Sequence, residues 1–289
     1  MSINIPRDNR YLPKDTFNII SSIKAINDSQ YKDYNFYYLF NLPIIIGRLP
    51  EKIRINEEIE RFKWDIDFLI SIKNRRYNAI DSLKNSGFFS KNFNAKCAWR
   101  LIIGLGASHP QETSMTLNHI YGIPYIPGSA IKGVTKHWTV LKFAEKDKKQ
   151  NGKIEDAIRR VSSALEKGEV LEINVDDIDF VKIIEIFGTQ KQAGKVIFMD
   201  AYPINNINLK IDIMNVHYPD YYSKRKPPAD WQMPNPVKFL TIENTEFSFF
   251  LLSKKGDLLN LAVLLLKEAL NQHGVGAKVS LGYGIFEDL

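Results

Sequence analysis

The chain of 289 residues has a single cysteine, Cys97. That excludes an intrachain disulfide framework and any zinc site built from several thiolates. Long apolar runs are missing as well. The greasiest stretch, Leu258 to Leu266, is broken by Asn260 and is too short to cross a bilayer. The opening residues, Met-Ser-Ile-Asn-Ile-Pro-Arg-Asp, hold no apolar signal core, so a cytoplasmic protein with no membrane partner is expected. There is no internal repeat and no low-complexity linker. The five histidines, at positions 109, 119, 137, 217 and 273, never fall at the His-x3-His spacing that puts two metal ligands on one helix face. No metal and no cofactor are therefore expected.

Nucleotide fingerprints also fail. Gly188-Thr-Gln-Lys-Gln-Ala-Gly-Lys-Val196 approaches a Walker loop, but its spacing is one residue too long. Val196 stands where a magnesium-binding hydroxyl belongs. Gly274-Val-Gly276 would need a third glycine at position 279, which is valine, to bind a dinucleotide.

What remains is a basic, mixed-structure chain. An apolar fraction of 44% and a charged fraction of 25% are those of a folded globular protein. A net charge of +6, with a pI near 9.1, directs attention to polyanions. Residues 1–95 read as a largely helical extension, with a charged helical pattern from Ile53 to Leu83 ended by Ser86-Gly87. Cys97 to Gly106 reads as a buried strand. Helices are expected from Ser129, as N-cap, through Leu141, and at 154–167, 175–187 and 257–272. Strands are expected at 195–201 and 209–216, with two more between Lys238 and Leu252. Residues 218–236 hold five of the thirteen prolines and the run Lys224-Arg225-Lys226, the composition of a long functional loop. Strands and helices alternate without regular βαβ spacing, which favours an α+β fold with an antiparallel sheet.

Two segments are suited to anions. The first is the C-terminal His273-Gly-Val-Gly-Ala-Lys-Val-Ser-Leu-Gly-Tyr-Gly284, where paired glycines can bring backbone N–H groups to a phosphate and Lys278 adds charge. Gly274, Gly276, Lys278, Ser280, Gly282 and Tyr283 are the candidate contacts. The second is the helix start at Pro127-Gly-Ser129, followed by Lys132, Gly133 and Lys136. Taken alone, that start is an ordinary capped surface helix with solvated lysines. Two such units in one basic chain suit the repeating charge of a nucleic-acid backbone. His109, in the polar loop after the first core strand, and His217, opening the proline-rich loop, are further candidates, although each reads more readily as an exposed or hydrogen-bonded loop histidine. His119 and His137 read as structural. Asp176, Asp177 and Asp179 lie near a helix start, where the macrodipole favours them without any metal.

Several phrases in order complete the pattern. They are Gly104-Leu-Gly106, Ile120-Tyr-Gly-Ile-Pro-Tyr-Ile-Pro-Gly-Ser-Ala-Ile-Lys-Gly133, Gly194-Lys-Val-Ile-Phe-Met-Asp-Ala-Tyr-Pro203, His217-Tyr-Pro-Asp-Tyr-Tyr222, Asp230-Trp-Gln-Met-Pro-Asn-Pro-Val-Lys-Phe-Leu240 and the terminal glycine loop. Together they resemble the RAMP superfamily of CRISPR-associated proteins over about residues 97–289. Within it the likeness is greatest to the end-capping RAMP subunits of Cmr-type (type III-B) complexes. The resemblance implies a ferredoxin-like, RRM-type fold with insertions and an N-terminal helical extension, the RNA-binding domain spanning 96–289. It implies a ribonucleoprotein subunit that holds the 3′ region of CRISPR RNA, with target RNA, the backbone subunit and the other end-capping subunit as partners. Lys224 and Arg225 join the RNA-contact candidates on that basis. RAMP proteins that process CRISPR RNA often use a histidine early in the chain, and this chain has none before His109. The loop aspartate shared by target-cutting backbone subunits has no match here, with Asp28 and Asp33 left unassigned. A non-catalytic subunit is therefore expected, the alternative being a metal-independent endoribonuclease with His109 or His217 as base.

Overall fold

The computed structural model describes residues 35–37, 40–41, 57–60, 62–107, 109, 113–216, 227, 235–287 and 289. Residues 36–37 and 40–41 are helical, and helices α1 (Glu57–Glu60) and α2 (Ile66–Lys84) follow, then strands β1 (Phe89–Cys97) and β2 (Arg100–Leu101). Helices α3 (Gly128–Asn151) and α4 (Ile154–Lys167) follow. A small hairpin, β3 (Asn174–Val175) and β4 (Ile178–Asp179), leads into α5 (Phe180–Phe187). The rest is β5 (Val196–Phe198), β6 (Tyr202–Pro203), β7 (Asn208–Val216), β8 (Asn235–Glu243), β9 (Glu246–Ser253), α6 (Gly256–Gln272) and β10 (Phe286–Glu287). The fold is α+β, and among the described residues every strand pair is antiparallel.

The central sheet runs β10-β1-β9-β5, with β6 also paired to β9. β9 is buried along almost its whole length because both of its faces are covered. Phe247, Phe249 and Leu251 point into the main core with Phe286 and the apolar side of α6. Phe250 and Leu252 point the other way, onto Ile80 and Tyr77 of α2. Helices thus sandwich the sheet. α6 buries Leu258, Leu259, Ala262, Leu265, Leu266, Ala269 and Leu270, the expectation for a helix apolar on most sides. Phe36, Phe40, Phe62 and Trp64 also belong to the main core, and the Trp64 indole donates to the Gly122 carbonyl at 3.0 Å.

A second sheet, β2-β8-β7, stands beside the first. Here the sequence reading needs correction. The strand expected at 97–106 is instead the last residue of β1 and the two-residue β2, which lie in different sheets. β1 ends at Cys97 in the central sheet, and the chain then crosses at Ala98-Trp99 to pair Arg100 and Leu101 with β8. Ile102 and Ile103 are buried by that crossing rather than by a ladder. The helix expected at 175–187 begins only at 180. Asp176 and Asp177 both take positive φ (50° and 62°), the pairing that closes a two-residue hairpin. Asp179 then caps α5 by accepting from the Val181 amide. The helices at 154–167 and 257–272 and the later strands lie where the residue pattern puts them, within a few positions. Most of the proline-rich 218–236 segment, with His217, Lys224 and Arg225, lies outside the described residues. Among the described residues no helix is long and apolar enough to cross a membrane.

Candidate nucleic-acid interface

The C-terminal glycines build a closed lobe. α6 stops where Gly274 takes a left-handed conformation (φ 76°), its amide donating back to the Ala269 carbonyl at 2.9 Å. The Val275 amide then donates to the Gly284 carbonyl at 2.9 Å and forms a neck. Two further bonds pin the lobe to β2 and its extension: Ala277 N–H to the Ile102 carbonyl (2.9 Å) and Gly284 N–H to the Arg100 carbonyl (2.7 Å). Lys278 is itself left-handed (φ 58°) and starts a 3-10 turn over Val279–Leu281.

Two glycines are there for internal reasons. A methyl at Gly284 would collide with the Val275 carbonyl, and one at Gly276 with the Ile102 carbonyl. Gly282 differs, because nothing lies within 4 Å of where its Cβ would be. The lobe's outward side is therefore Gly276, Ser280 and Gly282, all exposed, with Lys278 half-buried and its Nζ 5.1 Å from the centre of the Phe239 ring.

Tyr283 faces inward. Its hydroxyl donates to Asp212 Oδ2 on β7 at 2.7 Å, and Arg100 reaches both Asp212 (2.7 Å) and Glu243 (3.2 Å). Burial opposes ionisation of Asp212, but donors from Tyr283, the Ile213 amide and Arg100 outweigh it and hold the carboxyl below the ordinary range. The Tyr283 phenol is pushed up to about 12 by burial and by the Asp212 carboxylate. A depressed carboxyl stabilises the fold above its unfolded value of about 4 and loses that stabilisation as pH falls through the folded value. A raised phenol contributes below its unfolded value of about 10 and is lost as pH climbs toward the folded one. Asp212→Asn should therefore cost about 2 kcal/mol at pH 7 and less at pH 3, below the unfolded value. Urea denaturation at the two pH values measures this, and an equal loss at both would contradict it.

At the other unit, the N-cap is Pro127 rather than Ser129, and no side chain of its own caps the helix. Asp200, just after β5, takes that role by accepting from the Gly128 amide at 2.7 Å. The Ala130 and Ile131 amides both donate to the Pro127 carbonyl. The Asp200 carbonyl in turn accepts from Arg76, whose guanidinium lies 4.5 Å from the centre of the Tyr202 ring. The helix start thus already holds a carboxylate. Any anion affinity there must come mainly from Lys132 and Lys136 rather than from free N–H groups. Burial, then Lys136, lowers the Lys132 pKa. Lys136 sits 3.8 Å from Glu166 on α4, a partly exposed pair of small net worth. Asp200→Ala should cost about 1–2 kcal/mol of stability as a lost helix cap, read from a urea titration. A change within error would show that the contact is incidental.

The structure joins the two units through residues that no local pattern signals. His137, in the third turn of α3, and His273, immediately before Gly274, have ring centres 4.9 Å apart. Burial, then the neighbouring His137 ring, lowers the His273 pKa. Ser129, Gly133 and His137 are all exposed, and their spacing of four puts them on one side of α3 leading to the lobe. His109 is elsewhere: it is half-buried, its Nε2 is 3.0 Å from Asn41 Oδ1, and it stacks on Phe40 at 4.6 Å. Burial lowers its pKa. Cys97 is buried, which pushes its thiol up. Among the described residues no group of three or more His, Cys, Asp or Glu side chains is arranged to hold a metal.

An antiparallel sheet flanked by helices, closed by a C-terminal glycine lobe, marks a class of protein, and comparison with known families agrees. A model of the RAMP superfamily matches residues 96–287, and the chain belongs to that superfamily. Among individual proteins it is similar to the CRISPR system Cmr subunit Cmr6 of Pyrococcus furiosus, with 39% identity over 219 residues. That alignment spans 64% of this chain and 64% of the relative's length. The crystal structure of Cmr6 from Pyrococcus furiosus superposes with a TM-score of 0.50 at 35% identity, covering 69% of this chain and 97% of that one. A chain from the cryo-EM structure of the type III-B Cmr-beta complex bound to cognate target RNA gives a TM-score of 0.57. At 22% identity, over 93% of this chain and 90% of that one, it speaks for the fold alone.

Proposed function

We propose that this chain is a non-catalytic RNA-binding and assembly subunit of a type III-B (Cmr) CRISPR interference complex, seated at the end of the backbone filament that covers the 3′ region of the guide. The observation that carries this reading is the pinned lobe at 274–284, joined through the His137–His273 contact to the exposed side of α3. The lobe presents Gly276, Ser280 and Gly282 to solvent with Lys278 beside them, and α3 presents Ser129, Gly133 and Lys132. Such contacts read a phosphate backbone and no base identity, as a protein carrying many different guides requires. The net charge of +6 is of the right sign. In fold terms, the order β10-β1-β9-β5 with α3 and α6 as the two crossover helices supports a ferredoxin-like core, counting β1, β5, β9 and β10 as its four strands. On this reading the described residues up to α2 belong to an N-terminal extension that stops short of the expected boundary at 95, because β1 is counted in the core.

Purified full-length protein incubated with CRISPR-repeat RNA in EDTA tests the non-catalytic part. RNA that stays intact while comigrating with the protein is the expected result. Discrete 2′,3′-cyclic phosphate products lost in His109→Ala would overturn it in favour of a metal-independent ribonuclease.

A further inference from the structure

Trp99 was read from sequence as part of a buried strand, yet its side chain is 48% exposed. It occupies the crossing between β1 and β2, directly beside the glycine lobe. The Ala98 amide donates to the Ile285 carbonyl at 2.9 Å, and the Arg100 carbonyl accepts from the Gly284 amide at 2.7 Å. Trp99 is therefore clamped on both sides by the base of the lobe. Its ring lies 4.6 Å from Tyr283, and the Arg100 guanidinium is 5.3 Å from its centre. Tyr283 and Arg100 are fixed in turn by Asp212. The indole is packed against these two anchored side chains while nearly half of it remains open to solvent.

We propose that Trp99 is a stacking platform for one unpaired nucleobase of the RNA whose backbone the lobe holds. The inference rests on the RNA-binding reading above and extends it from phosphate contacts to a base contact. Arg100 is not free to bind phosphate, because Asp212 and Glu243 neutralise it; its work here is to brace the ring. Every base offers a π-face, so stacking on a preorganised aromatic ring adds affinity without selecting a sequence. That is compatible with a protein that carries variable guides. The surroundings suit a base better than a protein partner. At the lobe and the β1–β2 crossing the exposed large apolar side chains are Trp99 and Leu281, the latter flanked by exposed Ser280 and Gly282. A protein-docking site would need a far broader apolar centre.

The test uses full-length protein and single-stranded RNA, with Trp99→Ala and Trp99→Phe compared by filter binding across salt concentrations. Trp99→Ala should bind about tenfold or more weakly with an unchanged salt slope, and Trp99→Phe should recover most of the loss. Because Trp99 also packs on Tyr283, thermal unfolding must show both variants folded. Photocrosslinking of the unsubstituted protein with 5-iodouridine RNA gives a readout independent of any variant, and a crosslink at Trp99 is expected. Normal RNA affinity in Trp99→Ala, with crosslinks elsewhere in the lobe, would overturn the platform and leave RNA binding intact. Normal RNA affinity with loss of a partner subunit on copurification would also overturn it and make Trp99 a protein contact. No RNA binding by the unsubstituted protein, alone or in its assembled complex, would remove both readings together.

Discussion

Gly284→Ala is expected to lose about 4 kcal/mol of stability, and Gly276→Ala nearly as much, whereas Gly282→Ala should lose only about 1 kcal/mol. All three positions have positive φ (70°, 102° and 91°), so alanine is strained at each. The difference lies in what the new methyl meets. At 284 and 276 it meets a backbone carbonyl held by the neck and by β2, which cannot retreat without opening the lobe. At 282 it meets open space. Urea denaturation of the three variants measures the ordering. If Gly282→Ala were as damaging as Gly284→Ala, the lobe would not have the internal packing described above. Gly282→Ala is also the informative variant for ligand binding, since it alters the outward side of the lobe while leaving the pins in place.

The second large effect concerns charge. Lys132→Ala together with Lys278→Ala should weaken RNA binding by about tenfold or more at moderate salt. The loss should be even across RNA sequences, and the slope of log affinity against log salt should flatten by roughly 0.7 for each phosphate contact removed. Lysines that touch phosphate act through counterion release, whereas the Trp99 contact acts through stacking. The two kinds of variant therefore separate on the salt axis: the lysine pair changes the slope and Trp99→Ala does not. Unchanged affinity and slope in the double variant would mean that neither lysine faces the RNA.

The parts of this molecule that could be read from sequence are those whose signal is local. The 154–167 helix shows Ala157, Val161, Ala164 and Leu165 on one face and ends at Gly168, which is left-handed at φ 79°. The terminal glycines announced a loop of unusual backbone, and the lobe is where they placed it. Less legible was the direction in which those glycines work. Gly276 and Gly284 serve the approach of the chain to itself, a demand that looks identical in sequence to one made by a ligand. β1 was missed because its apolar residues are sparse: Phe93, Ala95 and Cys97 alternate with polar neighbours, while the stronger apolar run at 101–103 is buried by a crossing between sheets. Asp200, standing 72 residues from the helix start it caps, gives no sequence cue. The His137–His273 and Trp99–Tyr283 contacts are likewise products of topology, because α6 returns the chain to α3 and the lobe and β10 return it to β2 and β1.

The account centres on the lobe touching a guide-RNA backbone, and a crosslinking map of the assembled ribonucleoprotein tests that most directly. Ultraviolet crosslinks between CRISPR RNA and peptides covering residues 274–284 and the first turns of α3 are the predicted result. A map in which RNA crosslinks to this subunit only outside those two segments, or not at all, would contradict it.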